Sequence, residues 1–127
     1  MPQLTMEYSD NLEVDVRAVF ARLHDELVAT GAVNMKGLKS RAIRQTEYYI
    51  ADGYDGYKFI HLDMLLKEGR SVEMQQEISQ RAMKVLQDEF GSYYKDDYIS
   101  LSVNLREMRD GVSITKHNFP VDGVKHA

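Results

Sequence analysis

Two cations separated by one residue, Lys39 and Arg41, and a third, Arg70, in the string Gly69-Arg70-Ser71 are the side chains here best suited to gripping acids. Residues two apart on an extended segment point the same way, so Lys39 and Arg41 share a face. Arg70 lies in the loop entering a helix that Ser71 can cap, and helix-start N–H groups add their own attraction for anions. Three cations suit a multiply charged acid and can stabilise negative charge as an enolate develops. His61 and Asp63 also share one strand face, but two ligands fall short of the usual metal complement, so interior packing or an intersubunit hydrogen bond is the expected use. Tyr48, Tyr49, Tyr54 and Tyr57 either wall a pocket for a conjugated substrate or pack around a sheet corner. Pro2, taken alone, signals only an extended start.

The bulk of the sequence narrows the classes. With no cysteine there is no thiolate nucleophile, no disulfide and no sulfur-ligated metal. At 127 residues, 43% hydrophobic and 28% charged, the chain is sized for one core. A net charge of -4, with no basic run interleaved with aromatics, argues against nucleic acid as a partner. No apolar stretch approaches the roughly 20 residues that span a bilayer. The opening residues alternate instead of forming a signal-peptide core, so the expected setting is cytoplasmic, with no membrane partner.

The elements that must position these cations are legible in the periodicities. Leu4, Met6 and Tyr8 alternate with Gln3, Thr5 and Glu7, the pattern of a strand with one face on a core. Asp10 and Asn11 offer N-cap oxygens to a helix whose apolar stripe is Leu12, Val16, Val19, Phe20, Leu23 and Leu27, and Gly31 stops it. An extended run from Leu38 heads toward Tyr48 and Tyr49 before the turn at Asp52 and Gly53. Ile60, Leu62, Met64 and Leu66 then mark a strand. Met74, Ile78, Ala82, Val85 and Phe90 mark a helix closed by Gly91, and Ile99, Leu101, Val103 and Leu105 a last strand. Gly31 and Gly91 are spaced by about 60 residues, so the halves repeat. The expectation is an α+β fold of tandem βαβ units: a four-stranded mixed sheet with two helices on one face. One domain is expected over 1–127, with pseudo-repeats near 1–55 and 56–110 and a C-terminal tail. The uncovered face, with Thr5, Phe59, His61, Leu65, Ser100 and Ser102, is too apolar in places for open water, so burial against sister subunits is expected. The tail, containing Gly111, Pro120 and Gly123, reads as a short hairpin or arm able to reach a neighbour. Helix charges such as Arg81, Lys84, Asp88 and Glu89 read as a wetted face.

These strings, in this order, carry a resemblance. Met-Pro running directly into a strand resembles the tautomerase superfamily, whose chains expose an N-terminal proline once methionine is removed. Strand, Gly69-Arg70-Ser71, helix, then a strand ending Arg106-Glu107-Met108 resembles the repeat unit of 4-oxalocrotonate tautomerase. The full chain, with Tyr8-Ser9-Asp10-Asn11, Thr30-Gly31, Gly37-Leu38-Lys39-Ser40-Arg41, Ala51-Asp52-Gly53 and Phe59-Ile60-His61, is similar to the 5-carboxymethyl-2-hydroxymuconate isomerases from Met1 to about Met108. The resemblance implies a homotrimer whose sheets line an interior, with active sites at subunit boundaries and Pro2 at the floor of each. It also implies carboxylate-binding roles for Lys39, Arg41 and Arg70. Lys39 departs from it, because the family carries arginine there; a point charge replaces a bidentate fork.

A terminal proline suits such chemistry. It is a secondary amine with a rigid lone pair. An ordinary α-amino group titrates at about 7.7–8.0, and burial together with neighbouring cations favours the neutral amine that a base requires. Such a base collects a proton from the enol of an unsaturated hydroxy acid and returns it to carbon, with no cofactor and no metal. The implied partner is a small carboxylate, a dienol di- or tricarboxylate of aromatic breakdown. Two other readings stay open here: a tautomerase for another α-keto acid, and a non-catalytic oligomeric binding module of the same fold. A retained Met1 would favour the latter, since Pro2 would then be an amide.

Overall fold

The computed structural model describes residues 2–120; Met1 and residues 121–127, Gly123 among them, lie outside the described residues. The chain runs β1 (Gln3–Ser9), α1 (Val16–Ala29), a 3-10 turn (Met35–Gly37), β2 (Lys39–Gln45), β3 (Lys58–Lys67), α2 (Val72–Asp96) and β4 (Ile99–Met108). The sheet order is β2-β1-β3-β4. β1 and β2 are parallel, β3 and β4 are parallel, and β1 meets β3 antiparallel. This is the tandem βαβ arrangement the repeat implied.

Alternation decides which way each strand faces. Leu4 and Met6 of β1, with Ile60, Leu62, Met64 and Leu66 of β3, are buried in one cluster with Val19, Leu23 and Leu27 of α1 and Ile78, Ala82, Val85 and Leu86 of α2. Each such side chain, fully withdrawn from water, stabilises the fold by roughly 1.5–3 kcal/mol. Both helices therefore cover the same face. The opposite face carries the other set in cross-strand rows: Lys39, Gln3, Leu65 and Arg106 in one, Arg41, Thr5, Asp63 and Asn104 in the next.

Several boundaries differ from the sequence reading. α1 is capped by Asp15, whose carboxylate accepts from Ala18 N–H at 3.2 Å, and not by Asp10 or Asn11. Those two are drawn into long-range contacts: Asp10 accepts from the Tyr48 hydroxyl at 2.8 Å, and Asn11 Nδ2 donates to the Tyr57 carbonyl at 2.8 Å. Tyr48 thus turns back toward β1, and β2 stops at Gln45. α2 does not end at Gly91. It bends at Phe90 (φ -115°, ψ 15°) and continues to Asp96, because Phe90 stays buried and Tyr93, one turn on, packs beside it at 6.4 Å. Gly31 does act as a stop, with φ +80° following the Thr30 cap. The helix charges are not all simply solvated, since Arg22 of α1 bridges Asp88 and Glu89, and Arg81 bridges Glu26. After β4 the chain forms an arm and not a hairpin, with a turn at Arg109 and no strand between 109 and 120. Among the described residues no helix is long and apolar enough to cross a membrane.

Candidate active site

Pro2 is buried and sits directly ahead of β1, where its carbonyl accepts from Lys39 N–H at 3.1 Å. This bond extends the parallel ladder one residue past Gln3 and holds the proline ring against the start of β2. Around it lies a cavity of about 310 Å³ lined by Pro2, Asn34, Lys36, Gly37, Lys67, Arg70 and His117. Lys36, Lys67 and Arg70 supply cationic side chains, and no carboxylate is among these lining residues. Such a site favours anions and disfavours a second positive charge, which is the environment a neutral amine needs.

Arg70 is fixed by backbone. Nε and Nη2 both donate to the Ala32 carbonyl, at 3.0 and 2.7 Å, and Nη1 donates to the Lys67 carbonyl at 2.8 Å. Gly69, at φ +120°, makes the backbone reversal that brings the guanidinium to these oxygens. Of five N–H donors three are committed, leaving one on each terminal nitrogen for a ligand. Gln75 closes the loop by donating to the Arg70 carbonyl at 3.0 Å. Lys36 is presented by the 3-10 turn, whose Asn34 side chain accepts from Lys36 N–H at 2.9 Å. Lys67 pairs with Asp110 at 2.9 Å, and that hydrogen bond holds the Asp110 carboxyl below the usual carboxylate range.

Of the expected site residues, Pro2 and Arg70 come together in this cavity. Lys39 is bonded to Pro2 through its backbone, but its side chain lies on the uncovered sheet face. Its Nζ there is buried without a hydrogen-bond partner among the described residues and sits 5.7 Å from the centre of the Phe119 ring. Arg41 is one row further along the same face, exposed and outside the cavity of its own chain. Lys36, Lys67 and His117 are additions. Strand alternation puts Lys67 in phase with Asp63 and Leu65, which marks it as a candidate, and Asn34 two residues before Lys36 is a turn signal. Nothing local marks His117.

His61 and Asp63 each find partners on β4 of the same chain. His61 Nδ1 and Ser102 Oγ are 2.6 Å apart, and Asp63 receives Arg106 at 2.6 and 3.0 Å and Asn104 at 3.3 Å. Hydrogen bonds from Arg106 outweigh burial and hold the Asp63 carboxyl below its ordinary range. Among the described residues no group of three or more His, Cys, Asp or Glu could hold a metal ion. The tyrosines gather at the far end of the sheet, where Tyr48 meets Phe59, Tyr54 meets Tyr57 and Tyr57 meets Tyr98 edge to face at 5.2–5.9 Å. They pack a corner there and do not wall the Pro2 cavity of the same chain.

Comparison with known proteins agrees with this fold. A family model described as 5-carboxymethyl-2-hydroxymuconate isomerase matches residues 2–121. The chain is 27% identical over 120 residues to the 5-carboxymethyl-2-hydroxymuconate Delta-isomerase of Escherichia coli, covering 93% of this chain and 95% of that protein. The crystal structure of a 5-carboxymethyl-2-hydroxymuconate isomerase from Deinococcus radiodurans R1 superposes with a TM-score of 0.86 at 30% identity, covering 92% of this chain and 90% of that one. A fused 4-OT solved as a symmetric trimer shares the fold at 16% identity and a TM-score of 0.68, covering 84% of this chain and 85% of that one. The match to the family model takes in both βαβ units and the segments that frame Pro2, so the chain is an isomerase of the tautomerase fold and belongs to the 5-carboxymethyl-2-hydroxymuconate isomerase family.

Proposed function

We propose that the nitrogen of Pro2, freed by removal of residue 1, is the base that moves a proton from enol oxygen to carbon of an unsaturated hydroxy diacid resembling 5-carboxymethyl-2-hydroxymuconate. The observation that carries the reading is the cavity itself: a buried proline among Lys36, Lys67 and Arg70, with no carboxylate among the described residues that line it. Arg70 offers its two remaining N–H groups to one carboxylate of the substrate, where they also stabilise charge developing on the dienolate. Lys39 and Arg41 grip the rest of the acid.

Arg41 reaches a substrate only if a second chain is present. The reading therefore includes a homotrimer in which the uncovered sheet faces turn inward and Arg41 of one protomer serves the Pro2 site of another. The trimer of the 4-OT relative supports this assembly. The chain acts as one domain of two βαβ repeats, in the cytoplasmic breakdown of aromatic acids, on a small carboxylate substrate.

Intact-mass measurement on protein from its native host tests the first requirement, with loss of residue 1 as the expected result. Pro2→Ala is expected to lower kcat by about 100-fold or more, the usual worth of a positioned base. A retained methionine, or a Pro2→Ala variant with full kcat, overturns the assignment.

A further inference from the structure

The Pro2 cavity is bordered on one side by His117 of the chain's own C-terminal arm. Lys67 pairs with Asp110, and Asp110 N–H donates to Glu68 at 2.7 Å, which pins the turn after β4 to the end of β3. The arm then runs back across the sheet end with almost no burial: Val112 is 67% exposed and Ile114 is 80% exposed. Apolar packing does not hold it in place. Its contacts instead converge on the site, with His117 lining the cavity beside Pro2 and Phe119 over the Lys39 ammonium.

His117 is oriented by its neighbour. Nδ1 accepts from Phe119 N–H at 3.2 Å, and the two rings lie 5.0 Å apart at 32°. An acceptor at Nδ1 places the ring proton on Nε2. That N–H has no partner among the described residues, and it sits on a ring that borders a cavity lined by three cations. A carboxylate is the group that accepts from this N–H and from the two uncommitted N–H groups of Arg70 at once.

We propose that His117 is a substrate-binding residue, donating its Nε2–H to a carboxylate of the diacid above Pro2, and that Phe119 is the positioning residue that orients it. The proposal rests on the Pro2 cavity being the active site. The added donor discriminates between acids, because a substrate lacking the second carboxylate leaves it unpaired. A diacid bridging His117 to Arg70 also ties the arm to the body of the protein.

The test uses the full-length enzyme with a 2-hydroxymuconate-type dienol as substrate and adipate as an unreactive diacid. His117→Ala is expected to raise KM and the adipate Kd by about tenfold, the worth of one hydrogen bond to a charged group, with kcat unchanged. His117→Gln, which returns an N–H donor, is expected to restore both. Phe119→Ala keeps the backbone N–H but removes the stacked ring and is expected to raise KM by a smaller factor, and adipate slows amide exchange over residues 113–120 in the parent protein and not in His117→Ala. An unchanged KM and adipate Kd in His117→Ala overturns the proposal and leaves the Pro2 assignment standing. A fully active Pro2→Ala variant with normal adipate binding instead overturns the Pro2 assignment and leaves the binding role of His117 intact.

Discussion

Lys39 and Pro2 are tied backbone to backbone, N–H to carbonyl at 3.1 Å, while the Lys39 ammonium itself has no hydrogen-bond partner among the described residues. The same residue thus anchors the proline through its main chain and places a desolvated charge on the uncovered sheet face through its side chain.

A buried ammonium with only an aromatic ring against it costs stability. Lys39→Met keeps the length of the side chain and the backbone bond to Pro2 while removing the charge. It is expected to raise the stability to urea by about 1 kcal/mol, the order of an unsatisfied buried polar group, and to lower kcat/KM. Urea titration paired with steady-state kinetics checks both signs, and a destabilised variant refutes the account of Lys39.

Arg70 joins the loop after α1 to the end of β3 through the Ala32 and Lys67 carbonyls. Arg70→Lys retains the charge but cannot span two carbonyls with a planar fork. Loss of about 2 kcal/mol is expected on the basis of charge-assisted hydrogen bonds, together with a raised KM. Denaturation midpoints equal to those of the parent protein would show that the backbone anchors are incidental.

His24 of α1 is 2.7 Å from Ser40 Oγ, and burial lowers its pKa from 6.5 against a smaller opposing effect of Asp25. The folded protein therefore prefers the neutral ring. Its contribution to stability is present above the unfolded pKa and is lost as pH falls below about 6.5 and through the folded value. Stability measured between pH 8 and pH 5 should decline in the parent protein, and the decline should be shallower in His24→Gln.

Asp63 behaves in the same direction at lower pH. Arg106 holds its carboxyl below the ordinary value, so the pair stabilises the fold above the unfolded pKa of about 3.9 and ceases to do so as pH falls through the folded one. Asp63→Asn is expected to flatten the acid limb of the stability curve below pH about 4, and carbon-detected NMR of the Asp63 carboxyl should titrate below free aspartate. A normal titration midpoint removes this cross-strand pair from the acid response.

Strand phase, the two helices and their repeat could be read in the sequence because burial on one face imposes a local period of two or 3.6 residues. Leu4, Met6, Ile60, Leu62 and Met64 announce their side of the sheet without any knowledge of partners. The Gly31 stop is equally local, a matter of one φ angle. The end of α2 was not local: Gly91 reads as a stop, but the packing of Phe90 and Tyr93 carries the helix past it.

Residue types alone marked Lys39, Arg41 and Arg70 as able to hold acids, and order and spacing carried the family likeness that singled out Pro2. Only the tertiary structure decided which of them meet. The cavity gathers residue 2, residues 34–37, residues 67–70 and residue 117, four segments with no common period. Their proximity follows from the antiparallel register that sets Gln3 opposite Leu65 and from the path of the arm after Met108. The same geometry separates Arg41 from Pro2, although two residues are all that part it from Lys39. Register and packing are properties of the whole folded chain, so no window along the sequence contains them.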